Sequence, residues 1–213
     1  TSAVASNNTI ALKGASSDEL ADNTTYSDCT VTVTDAAGNV SSSITIFPFE
    51  VDTTAPSLEE VTAVTTPTND QTPNYSFKST QPGDITYGGS CSSSTSSATA
   101  SDNITISLTN TSSGNLAEDN YTNCTITVTD AAVNVSSSIT ISSFVVDTTA
   151  PTLEEVTAVT TPTNDQTPNY SFSSTQAGTI IYGGSCSSTD NASAAASDNN
   201  TIILKESDNS TLD

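Results

Sequence analysis

The chain has 213 residues and a net charge of −21, from 24 acidic residues against three basic ones, and 33% of its residues are hydrophobic. Such a charge repels nucleic acids and anionic membrane surfaces, so neither is expected as a partner. No apolar run approaches the roughly 18 residues of a membrane span. The apolar residues alternate with polar ones in short runs, which is typical of β-strands and not of disorder.

The sequence repeats with a period of 95 residues. The linker DTTAP at 52–56 recurs at 147–151, and 147 − 52 = 95. A period of this size indicates one domain copied along the chain. Residues 1–51 then correspond to the C-terminal half of a repeat, residues 52–146 to a complete repeat, and residues 147–213 to the N-terminal part of the next one.

In the complete repeat, Leu58 to Thr66 is predicted to be an edge strand ending before Pro67, although its apolar residues are spaced three apart. Further on, strict alternation predicts strands around Tyr75 and Phe77, Ile85 and Tyr87, Ile104 to Leu108, Cys124 to Val128, and Ile139 to Ile141. The Asp130–Asn134 turn makes the last two a hairpin. About seven short strands with one apolar face predict an all-β fold of tandem antiparallel β-sandwiches, with a closed barrel as the alternative.

The hairpin sequences carry a family resemblance. The segment TVTDAAGNVSSSITI spans residues 32–46 and TITVTDAAVNVSSSITI spans residues 125–141, and a DTTAP linker follows each. With these motifs the chain resembles the bacterial immunoglobulin-like domains that are repeated in tandem in large surface proteins and adhesins. The resemblance implies immunoglobulin-like sandwiches and a location outside the cell, at the cell surface.

Two residues near this hairpin have local consequences. Val133 stands where the first copy has Gly38. If that position requires a positive φ, valine costs about 1 kcal/mol or more, and the second turn is expected to differ in shape. Tyr121 lies three residues before Cys124, close to the position of the corner tyrosine of antibody-type domains, and is interpreted as a packing residue.

The four cysteines are placed as one pair per repeat. Cys91 and Cys124 lie in the complete repeat and are predicted to form a disulfide, which implies an oxidising compartment; two buried free thiols are the alternative. Cys29 and Cys186 have no partner in their own incomplete repeats. They would pair outside this segment or between neighbouring chains.

Recurrent carboxylates are the strongest candidates for a metal site. Tracing the sandwich places Asp52, Asp84 and Asp130 at one end of the complete repeat, where Asp18, Glu19 and Asp22 of the preceding repeat could join them. Oxygen ligands from several loops suit Ca²⁺, and the family resemblance also implies calcium at domain junctions. Asp147 and Asp35 are the repeat equivalents of Asp52 and Asp130, whereas Thr179 replaces Asp84. The alternative is that each Asp at a turn binds its own backbone.

No enzyme is predicted, because the chain has no histidine and no nucleophile or phosphate-binding motif. Asn74 and Asn169 begin predicted strands within Asn-x-Ser sequences and point outward, which makes them candidate glycosylation sites. A carbohydrate-binding function would need an exposed aromatic platform, but Tyr75, Tyr87 and Tyr121 are expected to be buried.

The sequence therefore predicts a structural repeat region: a rigid rod in an extracellular fibre or adhesin stalk. Its partners would be neighbouring repeats or identical chains, with any host or cell-surface ligand bound by parts outside this segment. One alternative is a filament subunit joined by β-strand complementation between chains, in which residues 147–213 would supply the early strands and residues 1–51 the late ones. A carbohydrate-binding module is the other.

Overall fold

A computed structural model describes residues 4, 7–16, 18–188, 193–195 and 199–206. These residues form β-strands, turns and irregular segments, with no helix among them, so the all-β prediction is confirmed. In this described part, nothing helical is long and apolar enough to cross a bilayer. The chain divides into two compact units, Thr1–Asp147 and Thr148–Asp213.

The strands follow the repeat pattern. Before residue 52 they are β1 Thr24–Tyr26, β2 Thr30–Val31, β3 Ile44–Thr45 and β4 Phe49–Val51. In the complete repeat they are β5 Leu58–Thr62, β6 Asn74–Ser79, β7 Gly83–Gly88, β8 Ser97–Ala98, β9 Ile104–Ser107, β10 Asp119–Tyr121, β11 Thr125–Thr129, β12 Ile139–Thr140 and β13 Phe144–Val146. In the second unit they are β14 Leu153–Thr157, β15 Asn169–Ser174, β16 Gly178–Thr179, β17 Cys186–Ser187, β18 Ser193–Ala194, β19 Asn199–Ile203 and β20 Lys205–Glu206.

The complete repeat is a two-layer antiparallel sandwich. One sheet has the strand order β5-β6-β9 and the other β12-β11-β7-β8, while β10 and β13 form a separate pair. Both sheets direct their apolar side chains inward: Tyr75 and Phe77 from the first and Ile126 and Val128 from the second have no exposed surface. Fully burying side chains of this kind stabilises a fold by about 1.5–3 kcal/mol each.

The outward positions of the strands carry hydroxyl groups, which pair across the sheet. Ser76 and Thr105 face each other on β6 and β9, with 2.7 Å between their hydroxyl oxygens. One apolar and one hydroxylated face on each strand account for a folded protein with so few hydrophobic residues.

The first strand of the complete repeat is shorter than predicted and contains a bulge. β5 ends at Thr62, pairs only with β6 and is an edge strand as expected, but its register shifts between Glu60 and Thr62. A bulge adds one residue to a strand. Here the added residue is Val61, which is 38% exposed, whereas Leu58 packs against the core.

The two halves of the repeat meet where β7 pairs with β11, over five residue pairs from Thr125–Gly88 to Thr129–Asp84. The approach is so close that a Cβ atom at Gly83 would lie 2.3 Å from the backbone oxygen of Thr129. Just outside this pairing, Cys91 and Cys124 form a disulfide with their Cα atoms 5.2 Å apart.

Tyr121 packs at the corner of the complete repeat as the sequence indicated. Its ring stacks on Phe144 with 5.1 Å between centroids, and its hydroxyl donates to the backbone oxygen of Ala117 at 3.0 Å. The first repeat builds the same stack from Tyr26 and Phe49, 5.3 Å apart. The corner therefore forms even where the rest of the repeat is incomplete.

The expectation that the two hairpin turns differ in shape is wrong. Val133 adopts φ +69° and Gly38 φ +92°, and both turns close with the same backbone hydrogen bonds, from Asp130 N to Asn134 O and from Asp35 N to Asn39 O. Valine accepts the left-handed conformation because the surrounding turn imposes it. Its side chain is 76% exposed and gains little burial in return.

We expect Val133→Gly to raise the free energy of unfolding of the complete repeat by about 1 kcal/mol, because glycine removes the left-handed strain. Val133→Ala is the matched control, since alanine also loses the side chain but keeps most of the strain. Urea denaturation measures both variants. If the Val133→Gly protein is no more stable than the Val133→Ala protein, the left-handed conformation does not strain Val133.

Candidate functional site: the junction between the first two repeats

The linker between the first two repeats is held by a carboxylate of the first repeat. Asp22 accepts hydrogen bonds from the Thr53 N–H at 2.6 Å and from the Thr54 hydroxyl at 2.6 Å. Asp52 accepts one from the Thr54 N–H at 3.0 Å, and Pro56 is buried. The segment is thus fixed by specific bonds on the side of the first repeat.

Local chain geometry positions Asp22 for this contact. Asn23, which follows it, has φ +51°, a left-handed conformation that asparagine adopts more readily than most residues. The Thr24 hydroxyl donates to the Asp22 backbone oxygen at 3.1 Å and closes the bend ahead of β1. The Asp22 carboxylate is thereby directed at the linker 31 residues further along the chain.

The linker is held from the second repeat as well, by Asn134 in the hairpin turn. The amide nitrogen of this side chain donates to the Asp52 backbone oxygen at 3.0 Å and to the carboxylate of Asp130, also at 3.0 Å. One asparagine side chain therefore connects the β11–β12 hairpin to the segment that leads out of the first repeat.

Asp130 organises the turn that carries Asn134. Its carboxylate accepts hydrogen bonds from the Ala132 N–H at 2.9 Å and the Asn134 N–H at 2.8 Å, besides the bond from the Asn134 side chain. The Asp130 side chain is only 9% exposed. In the first repeat Asp35 makes the same contacts with Ala37 and Asn39.

These bonds lower the pKa values of three carboxyl groups at or near the turns. The Thr54 hydroxyl and then the Thr53 N–H hold the pKa of Asp22 below its usual value, and the Asn39 side chain does so first for the pKa of Asp35. For Asp130, burial opposes ionisation most strongly, but the bonds from Asn134 and Ala132 together outweigh it and lower the pKa. In each case the donors stabilise the charged form.

The structure brings the predicted metal ligands to one end of the complete repeat without forming a cation site from them. Asp84 is exposed beside a groove of about 390 Å³ that Asp130 also lines, and Asn134 links Asp130 to the backbone of Asp52. Throughout the described ranges, no three His, Cys, Asp or Glu residues are grouped so that they could hold a metal ion.

The carboxylate oxygens of Asp130 and Asp22 are occupied by hydrogen bonds. As placed among the described residues, these carboxylates are not grouped to hold Ca²⁺, and the calcium site stays a prediction. Asp35 lies in its own exposed turn, and the Asp147 N–H donates to the Thr68 backbone oxygen at 2.9 Å.

The remaining predicted residues are placed as follows. Cys91 and Cys124 are bonded, whereas Cys29 is free and half-buried and Cys186 is free and exposed. Asn74 and Asn169 are exposed on their strands, as a glycan would require, and their glycosylation stays a prediction. Tyr75 and Tyr121 are buried and Tyr87 is half-buried, so they form no exposed platform.

Two contacts at this junction were missed by the sequence reasoning. The sequence indicates Asp22 only as a cation ligand, whereas it binds the linker threonines, and it does not predict the bridge made by Asn134. The signal for Asn134 was its recurrence as Asn39 at the same turn position. Nothing in the sequence connected Asp22 to residues 31 and 32 positions away.

Comparison with known proteins adds no identification. A scan against protein-family models found no family that matches the chain, and a search of the curated proteins found no match either. The function therefore has to be argued from the junction and the fold.

We expect Asp130→Ala to lower the melting temperature of the complete repeat by several degrees, because three donors of the turn lose their acceptor. Asp84→Ala removes a neighbouring exposed acid that has no comparable bonds, and serves as the matched control. Thermal unfolding followed by circular dichroism, with chelator and with added calcium, measures both variants.

The measurements with chelator and with calcium show whether Asp130 stabilises the repeat through its hydrogen bonds or through a bound cation. A loss of stability in Asp130→Ala that is equal with chelator and with calcium supports the hydrogen-bonded turn. A calcium-dependent rise in the wild-type melting temperature that Asp130→Ala abolishes would contradict that interpretation and support a calcium site.

Proposed function

We propose that the chain is a stretch of a tandem array of immunoglobulin-like domains that acts as a stiff spacer in a fibre or adhesin stalk outside the cell. The observation that carries this proposal is the hydrogen-bonded linker: Asp22 holds it from the first repeat and Asn134 from the second. A spacer works by keeping its two ends apart, and it does so only if its junctions resist bending.

The way the linker is bonded favours stiffness over free rotation. A polar linker without contacts behaves as a flexible coil, whereas here two side chains from opposite sides bind residues 52–54. Bonds to ionised acceptors are the stronger ones. The orientation of one repeat is thereby coupled to the other through a segment of five residues, 52–56.

The proposed location follows from the chemistry of the chain. Disulfides such as Cys91–Cys124 form and persist in oxidising compartments. A charge of −21 with hydroxyl-rich outer faces keeps neighbouring fibres hydrated and apart. Neighbouring repeats are the immediate partners in this proposal, and any host ligand would bind elsewhere in the fibre. The half-buried and buried tyrosines give no support to a carbohydrate-binding module.

We expect Asp22→Ala to loosen the junction without unfolding either repeat. Nanosecond motion of the amides of residues 52–56, measured by NMR relaxation, should increase, and the scattering profile of the protein should indicate a wider range of shapes. Asp28→Ala is the matched control, because it removes the same charge from an exposed nearby position. Equal linker motion in both variants would contradict the role of Asp22 in holding the linker.

The bonds from the linker to the Asp22 carboxylate also predict that linker motion depends on pH. The pKa of Asp22 is lowered in the folded protein, so its contribution is fully present above the ordinary pKa of an aspartate and is lost as the pH falls through the lowered value. Linker motion in the wild type and in Asp28→Ala should increase over that acidic range. Asp22→Ala should show no such step, and a step in all three proteins would assign it to another group.

A further inference from the structure

The first and last segments of the complete repeat lie side by side. Thr68 and Val146 form a parallel bridge, and the Thr68 N–H donates to the Val145 backbone oxygen at 2.9 Å. The Asp147 N–H donates to the Thr68 backbone oxygen at 2.9 Å, and the Val145 N–H donates to the Thr66 hydroxyl at 2.9 Å. We call this contact between residues 66–68 and 145–147 the terminal pairing.

Both of these segments run away from the junction with the first repeat. The linker meets the complete repeat at the hairpin turn, because Asn134 in that turn binds the Asp52 backbone oxygen. β12 and β13 follow the turn, so the chain leaves the repeat at the opposite end, after Asp147. Since the terminal pairing is parallel, residues 66–68 point toward that end as well.

Tension along an array would pull these two segments past each other. The preceding repeat would pull residues 66–68 back toward the linker, and the following repeat would pull β13 forward through Asp147. In a parallel pair these opposite pulls act along the strands, so the hydrogen bonds are strained together. In an antiparallel hairpin pulled at its two free ends, the bonds would open one at a time. The parallel direction of the terminal pairing is therefore the one that resists stretching.

The two sides of the terminal pairing are held unequally. β13 pairs on its other side with β10, from Asp119–Val146 to Tyr121–Phe144, and Phe144 and Val146 are buried in the core. Residues 66–68 are mostly exposed and follow β5, which is an edge strand of the other sheet. The last strand is therefore embedded, whereas the first segment is the one that tension would detach.

One carboxylate strengthens the hold on the first strand. Glu60 in β5 accepts hydrogen bonds from the Ser142 N–H at 3.0 Å and from the Ser142 hydroxyl at 2.7 Å. Ser142 lies just ahead of β13, so these bonds connect the first strand to the same last segment. Bonds to ionised acceptors are stronger than bonds between neutral groups. Tension therefore has to break the bonds of Glu60 as it pulls β5 from its sheet, and the terminal pairing then carries the load.

We propose that the terminal pairing is the contact that must break before tension can unfold the complete repeat. This role rests on the proposed spacer function, because a stalk or fibre is stretched along its length. Thr66 and Thr68 then differ in role from the residues of the core and of the junction, since their bonds keep the sandwich closed while the repeat is under load.

The disulfide limits how far the repeat extends once the terminal pairing breaks. Cys91 and Cys124 are 33 positions apart, and the loop between them stays closed because a covalent bond is much stronger than hydrogen bonds. At about 3.3 Å per residue, the closed loop withholds roughly 110 Å of extension. The other two cysteines are free, so this withheld length identifies the complete repeat in a stretching experiment.

The test stretches the 213-residue chain in optical tweezers by handles on its two ends. The complete repeat is the unit whose extension on unfolding increases by roughly 110 Å when the disulfide is reduced. Thr66→Val removes the hydroxyl that binds the Val145 N–H but keeps the branched shape of the side chain. We expect this variant to unfold about fivefold faster than the wild type at the same constant force, as the loss of one hydrogen bond implies.

Thr105→Val is the matched control, because it also removes one hydroxyl bond, to Ser76 at 2.7 Å, from the exposed face of β9. Urea denaturation should show similar losses of stability in the two variants. Under force, Thr105→Val should unfold at the wild-type rate, since β9 is still in place when the terminal pairing breaks. Equal rates of unfolding under force for the wild type and Thr66→Val would overturn the proposal.

The pulling direction tests the terminal pairing without weakening it. Asn69 is exposed and follows residues 66–68, so a handle on Asn69→azidophenylalanine and one on the C-terminus would pull the two segments apart from the same end. The bonds would then open one at a time, and the force at unfolding should fall severalfold compared with end-to-end stretching of the same variant. Equal forces in the two directions would also overturn the proposal.

Either of these contrary results would leave the spacer function standing, because that function depends on the linker motion measured in Asp22→Ala. A flexible linker would in turn leave the resistance of the terminal pairing unchanged.

Discussion

The pairing of β7 with β11 is the contact on which the complete repeat depends. It joins residues about 40 positions apart, from Gly88–Thr125 to Asp84–Thr129, and it brings Tyr87, Ile126 and Val128 into the same core. A small domain buries a smaller fraction of its surface on folding than a large one does. The sandwich would therefore not stay folded if β7 and β11 separated. The Cys91–Cys124 disulfide reinforces their pairing.

The same hairpin that closes the core also builds the junction. β11 runs directly into the Asp130 turn, and the turn presents Asn134 to the linker. A distortion of the core at Val128 would therefore reach the linker within a few residues. Domain folding and inter-repeat stiffness are coupled because one short turn, fixed by a single carboxylate, serves both.

Much of the fold was predictable because apolar and polar residues alternate along most of the strands. The apolar residues at Tyr75 and Phe77 or at Ile126 and Val128 identify strands and their inner face without any knowledge of partners. The bulge in β5 was not predictable, because an extra residue in a strand resembles a change of period. For the candidate site, topology brought Asp52 and Asp130 to one end. The alternative that an aspartate at a turn binds its own backbone describes the bonds that both carboxylates accept. Contacts across more than 30 residues, such as that of Asp22, have no local signature.

The repeats show how far a sequence determines a structure without its partners. Val33 and Val128 lie in nearly identical segments, yet one is 46% exposed and the other fully buried, because burial in a sandwich comes from the opposite sheet and not from the strand itself. The corner stack of Tyr26 and Phe49 forms without that sheet, since both of its strands lie within 30 residues. Local pairs thus survive in a partial repeat and non-local ones do not. What covers the apolar residues beside Val33 is therefore decided by whichever segment presents the matching strand.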